Sequence, residues 1–105
     1  MNKVEMSGRL VKDVELLKSK GGNEYCTFTM AVKRKGTEET DFFDCIAFGK
    51  QAETVVKYTE KGNRIIIVGS IQNDKYTDKE GNNKYKTNIK VEDFYFVDFK
   101  KELSK

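Results

Sequence analysis

The stretch Thr40–Gly62, TDFFDCIAFGKQAETVVKYTEKG, changes its apolar period part-way along, and that change sets the fold. In its first half Phe42, Asp44, Ile46 and Phe48 fall on one parity, and Phe43, Cys45 and Ala47 on the other. Alternate side chains of a strand point to opposite faces, so this strand carries apolar groups on both. Either Phe42 and Phe48 face the core, or they form an aromatic pair displayed on the outside. Gly49 interrupts the run, after which Ala52, Val55, Val56 and Thr59 fall at i, i+3, i+4 and i+7. That spacing predicts one short amphipathic helix, with Gly62 able to end it.

Outward from this centre, Val4, Met6, Gly8 and Leu10 alternate with polar residues as a half-buried first strand. Val14, Leu16 and Leu17 continue it after a break near Lys12-Asp13, and Gly8 marks a bend or bulge. Gly21-Gly22-Asn23 is a turn, after which Cys26, Phe28, Met30 and Val32 form the core face of the next strand. Lys33-Arg34-Lys35-Gly36 opens a loop with a short basic cluster. Downstream of the helix, Arg64–Ile71 is β-branched and nearly continuous. The polar NDKYTDKEGNNKYK reads as a long hairpin with Tyr76 and Tyr85 on its stem. Thr87, Ile89 and Val91 then alternate with Lys86, Asn88 and Lys90, and Phe94, Phe96 and Phe99 supply a second apolar set.

Five strand-like segments with one helix between the third and fourth predict an all-β domain with one short helix. The order β-β-β-α-β-β is that of the five-stranded oligonucleotide/oligosaccharide-binding (OB) barrel, here with an extended hairpin between strands 4 and 5. Its 105 residues suit a single domain, expected over residues 1–100, with a short charged end at 101–105. Twenty basic against 17 acidic residues give +3, which permits an anionic partner without demanding one. No apolar run is long enough for a membrane span and MNKVEMSGRL lacks a signal-peptide core, so a soluble cytoplasmic protein is expected.

Chemistry of the catalytic kind finds little support. There is no His, the commonest general base near neutral pH. Asp41 and Asp44 differ by an odd number and point to opposite strand faces, while Cys26 and Cys45 alone cannot close a zinc site. No enzyme, metal or cofactor is expected, and the two cysteines read as reduced core residues. A binding constellation is better supported. Phe42, Phe48, Tyr76 and Tyr85 lie in strands or hairpin stems, with Lys33, Arg34, Lys50, Lys75 and Lys84 close by in sequence. Unpaired nucleotides need flat rings for their bases and cations for their phosphates.

The segments NKVEMSGRLVKDVEL, FTMAVKR, DFFDCIAFGKQAETVVKYTEKGNRIIIVGSIQ and KYTDKEGNNKYKTNIKVEDFYF resemble bacterial single-stranded-DNA-binding proteins over nearly the whole chain. FGKQAETVVKYTEKG, VGSIQ and YTDKEGNNKY are the most specific parts. The resemblance implies the same barrel in a homo-oligomer, with a tetramer favoured and a dimer possible. It implies sequence-tolerant binding and protection of single-stranded DNA in replication, recombination or repair. Stacking rings would fall on Phe42, Phe48 and Tyr76. Phosphate contacts would include Lys33 or Arg34, Lys50, Lys61 and Lys75, with Arg9 near the DNA or a subunit contact. Three departures stand out: Gly36 where some members carry a stacking Trp, Asp44 on the expected DNA face, and a chain that stops at Lys105. The family's flexible tail with an acidic tip does not follow the barrel here, as in a naturally tail-less member or an excised core, and partners recruited through that tip are not expected. Two other readings are a primosomal replication-restart barrel acting mainly through protein partners, and a structural interaction barrel; an RNA-preferring barrel is a further variant.

Overall fold

The structure, a computed structural model, describes residues 1–98. Phe99 and the charged end at 101–105 lie outside the described residues. The elements are β1 (Val4–Leu10), β2 (Leu17–Lys18), β3 (Glu24–Lys33), β4 (Thr40–Phe48), α1 (Gly49–Tyr58), β5 (Arg64–Thr77) and β6 (Asn83–Phe96). Apart from β2 this is the expected β-β-β-α-β-β order.

The long strands form a closed ring. β1 pairs antiparallel with β5, β5 with β6, and β3 with β4. The ring shuts through two short contacts: β4 runs parallel to β6 at Cys45↔Ile89 and Ile46↔Lys90, and β1 meets β3 at Arg9↔Ala31 and Leu10↔Met30. This is the OB arrangement. The chain after β1 does not lengthen that strand, as its apolar residues suggested. Leu17–Lys18 instead folds onto Tyr25 and Glu24, because the Ser19–Asn23 turn reverses the chain with Gly22 at positive φ. Val14 reaches the core, whereas Leu16 and Leu17 stay exposed.

Inside the ring sit Leu10, Cys26, Phe28, Met30, Cys45, Ile65, Ile67, Ile89 and Val91. These are the core parities expected for β1, β3 and β6, and on β5 the inward parity falls on Ile65 and Ile67. Burial pushes the Cys26 thiol up to about 11 and the Cys45 thiol up to about 12, as befits side chains packed like small hydrophobes. α1 packs Ala52 and Val55 into the same core, and Thr59 caps it by donating its hydroxyl to the Val55 carbonyl at 2.5 Å. The helix therefore ends at Tyr58, and Gly62 serves the following turn at positive φ.

The bulge is not at Gly8. Val68 faces Asp93 while Gly69 faces Val91, so Glu92 is the extra residue. It reverses the parity of β6, which lets Ile89 and Val91 and then Phe94 and Phe96 all turn inward. Gln51 of α1 donates its side-chain amide to the Glu92 carbonyl, satisfying a group the bulge takes out of the ladder. Gly8 and Gly69 mark close approaches instead. A Cβ on Gly8 would lie 2.6 Å from the Ala31 carbonyl oxygen, and one on Gly69 only 2.1 Å from that of Lys90.

Beyond the barrel, β5 and β6 continue as an arm exposed on both sides from residue 72 to residue 87. Asp78 organises its tip: its carboxylate accepts from the amides of Glu80 and Asn82.

Candidate nucleic-acid interface

β4 resolves the open question about its two faces. Cys45 and Ala47 point into the barrel, and Phe42 and Phe48 point out, 65% and 47% exposed. A strand advances about 3.3 Å per residue, so the two rings stand about 20 Å apart along one outward face. Asp44 and Ile46 lie between them on that face.

Register carries the face across neighbouring strands. Phe42 lies opposite Ala31, which lies opposite Arg9, which lies opposite Arg64. Arg9, Arg64 and Lys33 line one groove beside this row. Further along, Ile46 is paired with Thr27 on one side and Lys90 on the other. Lys90 holds its ammonium 5.8 Å from the Phe48 ring centre, and Tyr25 packs against the same ring at 6.3 Å. From Lys90 the outward parity of β6 runs through Asn88 and Lys86 to Lys84, opposite Ser70, Gln72, Asp74 and Tyr76 of β5. Tyr76, 49% exposed, is thus on the same continuous surface as Phe42 and Phe48.

Other expected site residues stand elsewhere. Tyr85 is 69% exposed but pairs with Lys75, so both lie on the opposite face of the arm from Tyr76 and Lys84. Lys75 is next to Tyr76 in sequence and across the ribbon from it in space. Lys50 follows Phe48 in the first turn of α1. Lys61 sits in the turn beside Arg9, which donates to the Gly62 carbonyl at 2.9 Å, and its own amide donates to Asp13. Arg34 is engaged within its loop. It donates twice to Asp41, at 2.7 and 3.2 Å, and to Glu39 at 2.5 Å. The Arg34 guanidinium holds the Asp41 carboxyl below its usual range. Lys33 faces Glu38 at 3.9 Å, so the basic cluster of this loop is largely matched by its own acids.

Arg64, Lys86 and Lys90 were missed by looking for cations near aromatic residues in sequence. The alternation Lys86, Asn88, Lys90 against the core residues Ile89 and Val91 was the signal for two of this set.

Two exposed rings on one strand, a third on the adjoining arm and a line of lysines between them offer the flat faces and cations that unpaired nucleotides require. The model of the Single-strand binding protein family matches residues 1–97 of this chain. The chain belongs to that family. Among single-strand binding relatives, the single-stranded DNA-binding protein of Clostridium perfringens is 43% identical over 100 residues, covering 93% of this chain and 67% of the relative. Single-stranded DNA-binding protein 1 of Clostridium acetobutylicum is 37% identical over 108 residues, covering 97% of this chain and 98% of the relative. The Enterococcus faecalis single-stranded DNA-binding protein is 36% identical, with 93% and 55% covered.

Proposed function

We propose that this single-strand binding family member binds single-stranded DNA with little sequence choice and protects it during replication, recombination or repair. The observation that carries this is the shared outward face of Phe42, Phe48 and Tyr76. Bases stack on those rings. Lys84, Lys86 and Lys90 follow the phosphates along β6, Arg9, Lys33, Lys61 and Arg64 do so near Phe42, and Lys50 near Phe48. Arg34 acts chiefly as the clasp of the β3–β4 loop, and Tyr85 with Lys75 forms the far side of the arm. Duplex DNA hides the base faces that the rings require, so unpaired strand is preferred.

A fluorescence titration of labelled oligonucleotide over a salt series tests this reading. Affinity should fall with salt at a log–log slope of about −0.7 per phosphate neutralised. Duplex binding as tightly as the single strand, or a flat salt response, would overturn it.

We further infer a homo-oligomer, with four subunits favoured over two. Phe94 and Phe96 are not the reason, because they are spent within the subunit: Phe94 packs on Phe28 at 6.5 Å and Phe96 on Tyr58 at 5.8 Å. Support comes from the outer face of β5 and β6, where Ile66, Tyr95 and Val97 are exposed. Beside them β1 pairs with β3 at Arg9 and Leu10, and among the described residues Val4–Ser7 has no strand partner on that side. Light scattering at micromolar concentration should give a mass well above 12.1 kDa; a monomer there ends the inference. A cytoplasmic setting fits two buried free cysteines.

A further inference from the structure

The register that carries the outward face across the sheet does not stop at Phe48. Phe48 lies opposite Tyr25 of β3, and Tyr25 lies opposite Leu17 of β2. Directly opposed residues of antiparallel strands point to the same face, so these three side chains form one row on the outer surface. On the other flank, Lys90 of β6 holds its ammonium 5.8 Å from the Phe48 ring centre. The row thus crosses β6, β4, β3 and β2, which are successive strands of the sheet. Along β4 itself the surface has no continuation past Phe48, because Gly49 opens α1 there. A nucleic-acid strand leaving Phe48 on the side away from Lys90 meets Tyr25 first.

Tyr25 is half-buried and Leu17 is exposed. The ring centres of Tyr25 and Phe48 stand 6.3 Å apart, with their planes inclined at 36°. Rings covering one another would be closer, and an edge-to-face pair would be nearer to perpendicular. These two adjoin side by side, which offers a step of two flat faces rather than one. Leu17 closes the far side, one strand spacing of about 4.8 Å from the backbone of Tyr25. Beyond it, the hollow that Leu17 shares with Lys12, Asp13, Glu15 and Thr27 carries two acids to one cation, so it offers a phosphate no net attraction. We propose that Tyr25, backed by Leu17, is a further base-stacking subsite that extends the path by one nucleotide beyond Phe48. This rests on the stacking path proposed above. Every base has a flat face, so the subsite adds affinity whichever base it meets. If Tyr25 instead only props the Phe48 ring, it contributes nothing once that ring is gone.

The test is a double-mutant cycle read by titration of labelled oligo-dT at fixed salt. Tyr25→Val keeps a residue suited to a strand and removes the ring. It should weaken binding about fivefold, the low end for a stacked base because part of the ring is covered. In a Phe48→Ala background it should still weaken binding about threefold, the rest being coupling between adjoining rings. Tyr25→Phe, which restores the ring, should recover most of the loss. No further loss in the Phe48→Ala background would overturn the proposal and leave Tyr25 as a support for Phe48. A Tyr25→Phe loss as large as that of Tyr25→Val would also overturn it, since the hydroxyl would then be the contact. Leu17→Ser leaves both rings in place and should cost about twofold. Melting curves check that the variants fold; if Tyr25→Val does not, Leu17→Ser decides, and an affinity equal to the parent's overturns the proposal. Failure of the parent protein to bind would overturn the binding reading itself.

Discussion

Gly69→Ala will melt more than about 12 °C below the parent protein, a loss of at least about 3 kcal/mol. The added methyl would sit 2.1 Å from the Lys90 carbonyl oxygen and 3.0 Å from its carbon. These are backbone atoms of β6, beside the parallel pairing Ile46↔Lys90 through which the ring closes. A flexible side chain could swing away, but this backbone can yield only by breaking the β4–β6 contact or opening β5 from β6. Small domains hold about 5–15 kcal/mol in total, so the loss is a large share of what there is. Gly21→Ala is the control, since the nearest atom to its Cβ is 3.8 Å away and its φ is ordinary. It should stay within about 0.5 kcal/mol of the parent. Thermal and urea unfolding of the two variants measures the contrast; equal midpoints would mean that the strands do not close as described.

Removing the rings should abolish most binding without touching the fold. Phe42→Ala and Phe48→Ala are each expected to weaken single-strand affinity by about 1–3 kcal/mol. Both side chains are substantially exposed, and neither belongs to the core cluster, so circular dichroism should match the parent. Combined, and far enough apart to add, they should cost about 2–6 kcal/mol. The arm supplies an internal comparison. Tyr76→Ala should weaken binding as the phenylalanines do, whereas Tyr85→Ala, on the other side of the ribbon, should cost less. Equal losses from the two tyrosines would show that the strand wraps the arm rather than following one face.

Much of this architecture was legible because period and parity are local. The switch from alternation to helical spacing at Gly49 located β4 and α1, and alternation alone assigned Cys26, Phe28, Met30, Ile89 and Val91 to the interior. Even the parity change after Val91 was visible as a second apolar set, although its cause, the bulge at Glu92, depends on a partner strand. What sequence could not provide was register. Tyr76 and Tyr85 share a side of the arm or oppose each other according to whether the turn holds an odd or even number of residues. The turn from Asp78 to Asn82 pairs Tyr76 with Lys84 and decides against sharing. Charge was misread for a related reason. Arg34 looked like a free cation among lysines, but the loop folds back and brings Asp41 and Glu39 to it.

The arm is a cantilever. Residues 72 to 87 project from the barrel, held by cross-strand bonds such as Thr87 to Asn73 at 2.7 Å. A lone two-stranded ribbon is marginal in water, so its rigidity must be borrowed from its root or from whatever lies along it. Its root is the Asp74–Asn88 and Asp44–Lys86 junction, which puts the pivot beside the outward face of β4 that carries Phe42 and Phe48. A strand seated there would stiffen the arm and carry Tyr76 with it, so that filling the middle of the path also sets its far end.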